Sequence, residues 1–126
     1  MTKKVAHVPS APRALGPYSP AVEANGFVFF SGQVGLDPED GSRSPDVAGQ
    51  ARRVMDTIGA MLADLGLGYA DIAKTTIFLA DIADFAVVNK VYATYFDEAP
   101  PARSTVQAGA LLGGFLVEIE VIAARP

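Results

Sequence analysis

The segment that decides the fold runs from Leu116 to Ala124 and reads LVEIEVIAA. Successive side chains of a β-strand point to opposite faces, so this alternation predicts a strand with two different faces. One face is purely apolar and suits a helix-covered core: Val117, Ile119, Val121 and Ala123. The other face mixes carboxylates with aliphatic side chains: Leu116, Glu118, Glu120 and Ile122.

A second strand is predicted just upstream, from Arg103 to Ala110, and the two strands are joined around Gly113-Gly114. Arg103, Thr105 and Gln107 share one face of this strand. If the polar sets of the two strands coincide, one face of the resulting hairpin carries an arginine and two glutamates among apolar residues.

The elements further upstream alternate between strand and helix patterns. Asn25-Gly26 separates two apolar runs, residues 21–24 and 27–34, and predicts a hairpin with a type I′ turn. Ser44-Pro45 predicts the start of a helix, with serine as N-cap and proline at the first helical position, that ends at Gly66. The remaining predicted elements are a short edge strand over 3–7, a proline-rich loop over 9–20, a strand over 74–79 and a helix from 81–84 to about 96.

This order predicts an α+β fold in which two amphipathic helices cover one face of a six-stranded, mostly antiparallel sheet. Two helices cannot cover both faces of such a sheet, so the second face is either wet or covered by other subunits. Leu116 and Ile122 beside the glutamates favour subunits, because an aliphatic sheet face is poorly suited to water.

Length and composition exclude several classes of protein. The 126 residues and 13.1 kDa predict a single domain over 1–126. The chain has no cysteine, which excludes disulfide scaffolds and thiolate chemistry. It has one histidine, His7, so a two-histidine metal site cannot be built within one chain. The net charge of −4 and the scattered basic residues argue against nucleic-acid binding. No secretory signal or membrane-spanning run is evident, so a cytoplasmic protein is expected.

The residues able to perform chemistry are few. Arg103 is a carboxylate anchor, a surface arginine or a structural arginine paired with Glu118 or Glu120. Glu118 and Glu120 share a face. They form either an acid–base pair, or one is a pore-facing or edge carboxylate and the other a salt-bridge partner. The other candidates are Tyr18 in a loop, Asn89 beside the apolar stripe of the second helix, and Ser31-Gly32-Gln33, where a glycine inside a strand predicts a bulge or a close ligand.

The chain resembles the RidA/YjgF family, also labelled endoribonuclease L-PSP or translation-inhibitor proteins. The resemblance covers nearly the whole chain. It is carried by these segments: Gly16-Pro17-Tyr18-Ser19, Phe30-Ser31-Gly32-Gln33-Val34, Asp37-Pro38 with Gly41, Gln50-Ala51, Leu65-Gly66, Lys74-Thr75-Thr76, Asp84-Phe85, Val88-Asn89, Tyr92, Tyr95-Phe96, Pro101-Ala102-Arg103-Ser104-Thr105 and Val117-Glu118-Ile119-Glu120.

The resemblance implies a chorismate-mutase-like fold and a homotrimer with a barrel-like core and clefts between subunits. It also implies hydrolysis of enamines and imines such as 2-aminoacrylate, 2-iminopropanoate and 2-iminobutanoate to 2-ketoacids and ammonia. No metal or cofactor is implied. There are two alternatives. One is an endoribonuclease or translation inhibitor, and the other is a non-catalytic small-acid-binding or chaperone-like protein.

By position, Arg103 corresponds to the substrate-carboxylate arginine of that family, and Glu118 to the glutamate that positions water. Tyr18, Ser31, Gly32, Asn89 and Thr105 correspond to residues of the substrate cleft. Thr105 stands where many relatives have a cysteine, so a thiol cannot be required here. The segment 109–114 lacks the proline that is usual near Leu112. The shape of the cleft rim, and hence the substrate size, therefore do not follow from the resemblance.

Overall fold

The computed structural model describes residues 2–126, and over that range the chain forms six strands and two α-helices. The elements in chain order are β1 (Lys4–Val5), β2 (Ala21–Ala24), β3 (Phe27–Val34), α1 (Val47–Asp64), β4 (Ile72–Leu79), α2 (Phe85–Ala93), β5 (Ala102–Gln107) and β6 (Val117–Ala124). Short 3₁₀ turns precede β4, α2 and β6. All strands belong to one sheet with the order β1-β2-β3-β6-β4-β5, in which β4 and β5 alone run parallel. The predicted α+β class is confirmed.

The hairpin predicted at Asn25-Gly26 is present, and the register pairs Ala24 with Phe27 across the turn. The φ angles are 52° at Asn25 and 80° at Gly26. Both lie in the left-handed region that a type I′ turn requires.

Helix α1 begins later than predicted. Its N-cap is Asp46 rather than Ser44, and Asp46 Oδ1 accepts the Gly49 N–H at 2.7 Å. The carboxylate is a stronger acceptor for the first-turn amides than the serine hydroxyl, which instead donates to Asp46 Oδ1 at 3.2 Å. The helix ends at Asp64, just before Gly66, in agreement with the prediction.

Helix α2 is shorter than the predicted segment at both ends. Asp81 caps only a 3₁₀ turn, Ile82–Asp84, before α2 starts at Phe85. After Ala93 the chain forms 3₁₀-type hydrogen bonds, in which each N–H donates to the carbonyl three residues earlier. Tyr95 N–H donates to the Tyr92 carbonyl at 3.1 Å, and Phe96 N–H donates to the Ala93 carbonyl at 3.4 Å.

The predicted hairpin between the last two strands is wrong. Strand β4 lies between β5 and β6, and β5 pairs with β4 in parallel after the α2 crossover. A strand–helix–strand unit yields parallel neighbours, whereas the connection over 108–116 is longer than the two to five residues typical of a hairpin loop. Residues 108–116 are called the crossover segment below.

The core lies between the two helices and one face of the sheet, and includes Val28, Ile77, Leu79, Ile119 and Val121 from the strands. The opposite face is uncovered and, as predicted, mixes apolar side chains with carboxylates, among them Glu118 and Glu120. Its exposed side chains include Val5, Phe27, Phe29 and Val106, at 61%, 44%, 44% and 46% exposure. Across residues 2–126, no helix is both long and apolar enough to cross a membrane.

Candidate functional site

The Arg103 side chain lies between β5 and helix α2. Its Nη1 donates to Asn89 Oδ1 at 2.8 Å. The guanidinium carbon lies 5.1 Å from the centre of the Tyr92 ring and 5.6 Å from that of the Phe85 ring. One amide and two aromatic rings therefore orient a half-buried cation without neutralising it.

Tyr92 is held beneath this cation by a buried hydrogen bond of 2.7 Å between its hydroxyl and Thr75 Oγ1. Burial raises the pKa of Tyr92, while the Thr75 hydrogen bond and the Arg103 charge oppose the rise. The phenol is therefore neutral at physiological pH and acts as packing for Arg103. Asn89, Tyr92, Phe96, Pro101 and Arg103 line an open cleft of about 450 Å³.

Across the described residues, 2–126, Arg103 has no carboxylate partner. Among residues 2–126, ion pairs join Arg53 to Asp37 at 3.4 Å and Arg125 to Glu23. The structural alternative for Arg103, an ion pair with Glu118 or Glu120, is therefore absent. Its charge remains available to a ligand.

The sheet register explains why that pair does not form. Arg103 is aligned through Thr75 with Val121, on the helix-covered face. Glu120 is aligned with Thr76 and Ser104 on the uncovered face, and Glu118 lies on that same face two residues away. The polar sets of the two strands thus point to opposite sides of the sheet.

Glu118 lies against a bulge in β3. The register between β3 and β6 slips between Phe30 and Gln33, so Ser31 and Gly32 together oppose Glu120. A β-carbon on Gly32 would lie 2.2 Å from Glu118 Oε2 and 2.9 Å from its Cδ. The glycine predicted to mark a bulge therefore creates the space that the Glu118 carboxylate occupies.

The half-buried position of Glu118 changes its acidity. Burial is the main cause that raises the pKa of this carboxyl, and the negative charge of Glu120 adds to the rise. A carboxylate with a raised pKa is a stronger base than an exposed one. The arrangement suits a proton acceptor on the uncovered face of the sheet.

Ser31 is engaged with backbone. Its Oγ donates to the Ser19 carbonyl at 2.7 Å and its N–H donates to the Pro20 carbonyl at 2.9 Å. These bonds fasten the loop that carries Tyr18, whose side chain is 52% exposed, to the bulge beside Glu118. Gln33 reinforces the same bulge, because its Nε2 donates to the Ser31 carbonyl at 3.1 Å.

Thr105 shares the helix-covered face with Arg103, two residues further along β5. Within the described part of the chain, its Oγ1 is buried and lacks a hydrogen-bond partner. A buried hydroxyl without a partner costs about 1–3 kcal/mol, so a bound group that supplied the missing partner would be favoured here.

The structure therefore groups the candidate residues into two clusters. Arg103, Asn89 and Thr105 lie on the helix side, and Glu118, Gly32 and Ser31 lie at the bulge. Sequence reasoning missed Phe85, Tyr92 and Thr75 as neighbours of the arginine. The spacing of Phe85 and Tyr92 around Asn89 places all three on one helix face and could have indicated these two rings. The same spacing is equally typical of residues that pack in a core. Across residues 2–126, no group of three acidic or histidine side chains is placed to hold a metal ion.

Comparison with known proteins agrees with this architecture. Residues 8–125 match the model of the family described as endoribonuclease L-PSP. The chain belongs to this family, which is also known as RidA/YjgF. Similar proteins include protein DfrA of Myxococcus xanthus, 49% identical over 98% of this chain and 96% of that protein.

Two further similar proteins are informative. The 2-iminobutanoate/2-iminopropanoate deaminase of Mus musculus is 43% identical over 98% of this chain and 92% of that protein. The crystal structure of E. coli TdcF with bound serine has a TM-score of 0.92 at 39% identity, covering 98% of this chain and 99% of that one.

Proposed function

We propose that this protein hydrolyses reactive enamines and imines, among them 2-aminoacrylate, 2-iminopropanoate and 2-iminobutanoate, to 2-ketoacids and ammonia. The name of the mouse relative supports this reaction class, and the serine bound to E. coli TdcF supports a small ligand with a carboxylate. Every substrate in the proposal carries one carboxylate. The imines present a carbon–nitrogen double bond to water directly, and 2-aminoacrylate gains that double bond when it tautomerises to 2-iminopropanoate, its CH2 carbon gaining a proton as its nitrogen loses one.

The observation that carries the proposal is the unpaired, oriented guanidinium of Arg103. Asn89 uses one N–H of the guanidinium, at 2.8 Å, and leaves the others for a ligand. A planar fork of N–H groups binds a carboxylate through two parallel hydrogen bonds. Arg103 therefore binds the substrate carboxylate, and Asn89 sets the rotation of the fork.

Glu118 is the proposed base for the attacking water. As the water oxygen bonds to the imine carbon, Glu118 accepts a proton and the carbon–nitrogen double bond becomes a single bond. The resulting carbinolamine then loses its nitrogen as ammonia after that nitrogen gains a proton, and the carbonyl of the 2-ketoacid forms. Water, substrate and side chains balance the reaction, and no metal or cofactor takes part in the proposal.

Arg103 and Glu118 lie on opposite faces of the sheet, so one chain alone does not bring them together in one site. We propose a homotrimer of chorismate-mutase-like subunits whose uncovered sheet faces pack around a common core, with clefts between subunits. The apolar surface of Phe27, Phe29 and Val106 supports burial against other copies. In such a cleft, Glu118 of one copy would meet the Arg103 cluster of the next.

The remaining candidate residues have supporting parts in this proposal. Thr105 Oγ1 supplies a hydrogen bond to bound substrate, which satisfies its buried hydroxyl. Gly32 lines the cleft and lets the Glu118 carboxylate approach the backbone closely. Tyr18 covers the ligand from its exposed loop, and Ser31 holds that loop in place.

The test is a coupled assay in which an amino-acid oxidase generates the iminopropanoate or iminobutanoate in situ. The expected result is faster 2-ketoacid release in the presence of the protein, dependent on Arg103. Unchanged imine decay at micromolar protein would overturn the proposal. Binding of 2-ketoacids without turnover would favour the small-acid-binding alternative instead.

A further inference from the structure

The crossover segment, residues 108–116, connects the strand of Arg103 to the strand of Glu118. Backbone hydrogen bonds fasten both of its ends to the end of β4. Ala108 N–H donates to the Leu79 carbonyl at 2.8 Å, and Ala80 N–H donates to the Leu116 carbonyl at 3.1 Å. Between these anchors the segment extends into solvent, and Leu112 at its tip is 92% exposed.

The backbone of this segment is adaptable near its tip. Gly113 and Gly114 have φ angles of 77° and 72°, a left-handed conformation that glycine adopts at little cost. Two such residues in succession leave the chain many alternative paths into β6. Contacts from outside the segment must therefore select the one observed.

Those contacts come from the region between β3 and the first turns of α1. Arg43 Nη1 donates to the Gly113 carbonyl at 2.6 Å, and the guanidinium carbon lies 3.6 Å from the centre of the Phe115 ring. Gln50 Oε1 accepts the Leu116 N–H at 2.9 Å while its Nε2 donates to the Ser44 carbonyl at 3.0 Å. Arg43 therefore holds the backbone of the glycine pair, and Gln50 holds the backbone of Leu116, the last residue before β6.

We propose that Arg43 is a positioning residue for Glu118, and this inference rests on the proposed function of the site. Phe115 is buried beneath the Arg43 guanidinium, Val117 begins β6, and Glu118 follows it. The stacked ring and the Gly113 bond set where β6 begins. They thereby set how far the Glu118 carboxylate reaches over Gly32. Arg43 contacts neither Arg103 nor any group assigned to the substrate.

The test compares Arg43→Ala and Arg43→Lys with Arg53→Ala as the matched control. Arg53 is also an exposed arginine bound to the turn after β3, through Asp37 at 3.4 Å, but among residues 2–126 no hydrogen bond or ring contact joins its side chain to the crossover segment. Imine hydrolysis and 2-ketoacid binding are measured on the intact assembly. Carbon-13 NMR of labelled glutamate follows the titration of Glu118, whose facing charge is Glu120.

Arg43→Ala is expected to lower kcat about tenfold with unchanged 2-ketoacid affinity, because small displacements of a catalytic group are costly while the Arg103 anchor is intact. Arg43→Lys should retain part of kcat, since a cation can still cover Phe115. The apparent pKa of Glu118 should fall towards its ordinary value in Arg43→Ala as water reaches the carboxylate. Arg53→Ala should leave all three measurements unchanged.

Two results would overturn the role of Arg43. One is an Arg43→Ala variant with wild-type kcat and an unchanged Glu118 titration. The other is an equal loss in Arg53→Ala, which would indicate general loosening of the turn. An inactive wild-type protein would overturn the proposed function alone, because the Glu118 titration still reports whether Arg43 positions the carboxylate.

Discussion

Replacing Gly32 with alanine tests whether the position of the Glu118 carboxylate controls the reaction. The added β-carbon would lie 2.2 Å from Oε2 and 2.9 Å from Cδ of Glu118. Carbon and oxygen atoms in contact are ordinarily separated by about 3.2–3.5 Å, so the carboxylate must retreat by about 1 Å. Both atoms belong to the end of a side chain, which can rotate without displacing β6.

The expected cost falls on catalysis and leaves folding nearly unchanged. A catalytic group misplaced by about 1 Å can lose on the order of 100-fold in rate, so Gly32→Ala should lower kcat by about that factor. Alanine also reduces the freedom of the unfolded chain, which offsets part of the crowding by about 0.4–1 kcal/mol. Thermal unfolding should therefore shift by only a few degrees, with imine hydrolysis as the activity assay.

Two comparisons make this prediction decisive. Gly68→Ala is the control, because no heavy atom lies within 4 Å of its added β-carbon and its φ of −139° suits alanine. In the double variant Gly32→Ala/Glu118→Gln, the loss should equal that of Glu118→Gln alone, since both changes disable one group. Near wild-type activity in a folded Gly32→Ala, or fully additive losses in the double variant, would refute the reasoning.

Four further predictions concern the substrate anchor, the proposed base, the assembly and nucleic-acid binding. Arg103→Ala should lower kcat/KM at least about tenfold for each charge-assisted hydrogen bond lost, with Arg103→Lys between it and the wild type, in steady-state imine hydrolysis. The acid limb of kcat should lie above the ordinary glutamate pKa of 4.5, because Glu118 must be ionised to act, and Glu120→Gln should move that limb to lower pH by removing a repelling charge. Light scattering should give three times the chain mass of 13.1 kDa, and Phe29→Glu on the uncovered face should yield smaller, inactive species. Titration with single-stranded RNA should show no submicromolar binding, because clustered phosphate-neutralising residues are absent from the sequence.

Each of these predictions has an outcome that contradicts it. Full activity of Arg103→Ala would remove the anchor from the mechanism. An acid limb that does not move in Glu120→Gln would mean that the Glu118 carboxyl is not the titrating base. A stable, active monomer would exclude a site between subunits, and salt-sensitive RNA binding would revive the nucleic-acid alternative.

The elements that were predicted correctly are those whose conformation is determined within one short segment of sequence. The Asn25-Gly26 turn and the alternation of β6 depend only on near neighbours, and both were predicted correctly. The N-terminus of α1 was missed because Ser44 and Asp46 are both good caps, and a contact with Gly49 decides between them.

The largest error concerned the face on which Arg103 lies. Whether it joins the glutamates depends on which strand pairs with β5, and sequence proximity favoured β6 over β4. The helix crossover and the long segment before β6 reverse that choice. Because β5 pairs with β4 instead of β6, Arg103 lies on the face of the sheet opposite Glu118. The proposed anchor and the proposed base are therefore separated by the sheet within one chain.

The sequence by itself determined the strand and helix content, the mixed apolar and acidic character of the uncovered face, the glycine bulge at Gly32 and the absence of thiol chemistry, because each follows from residue type and spacing. Tertiary structure decided that Asn89, Phe85 and Tyr92 orient Arg103, that Glu118 occupies the space above Gly32, and that Arg43 reaches the crossover segment. These contacts join segments far apart in the chain. Their formation depends on strand order and register, which are set by the packing of the whole sheet against both helices and by no local pattern.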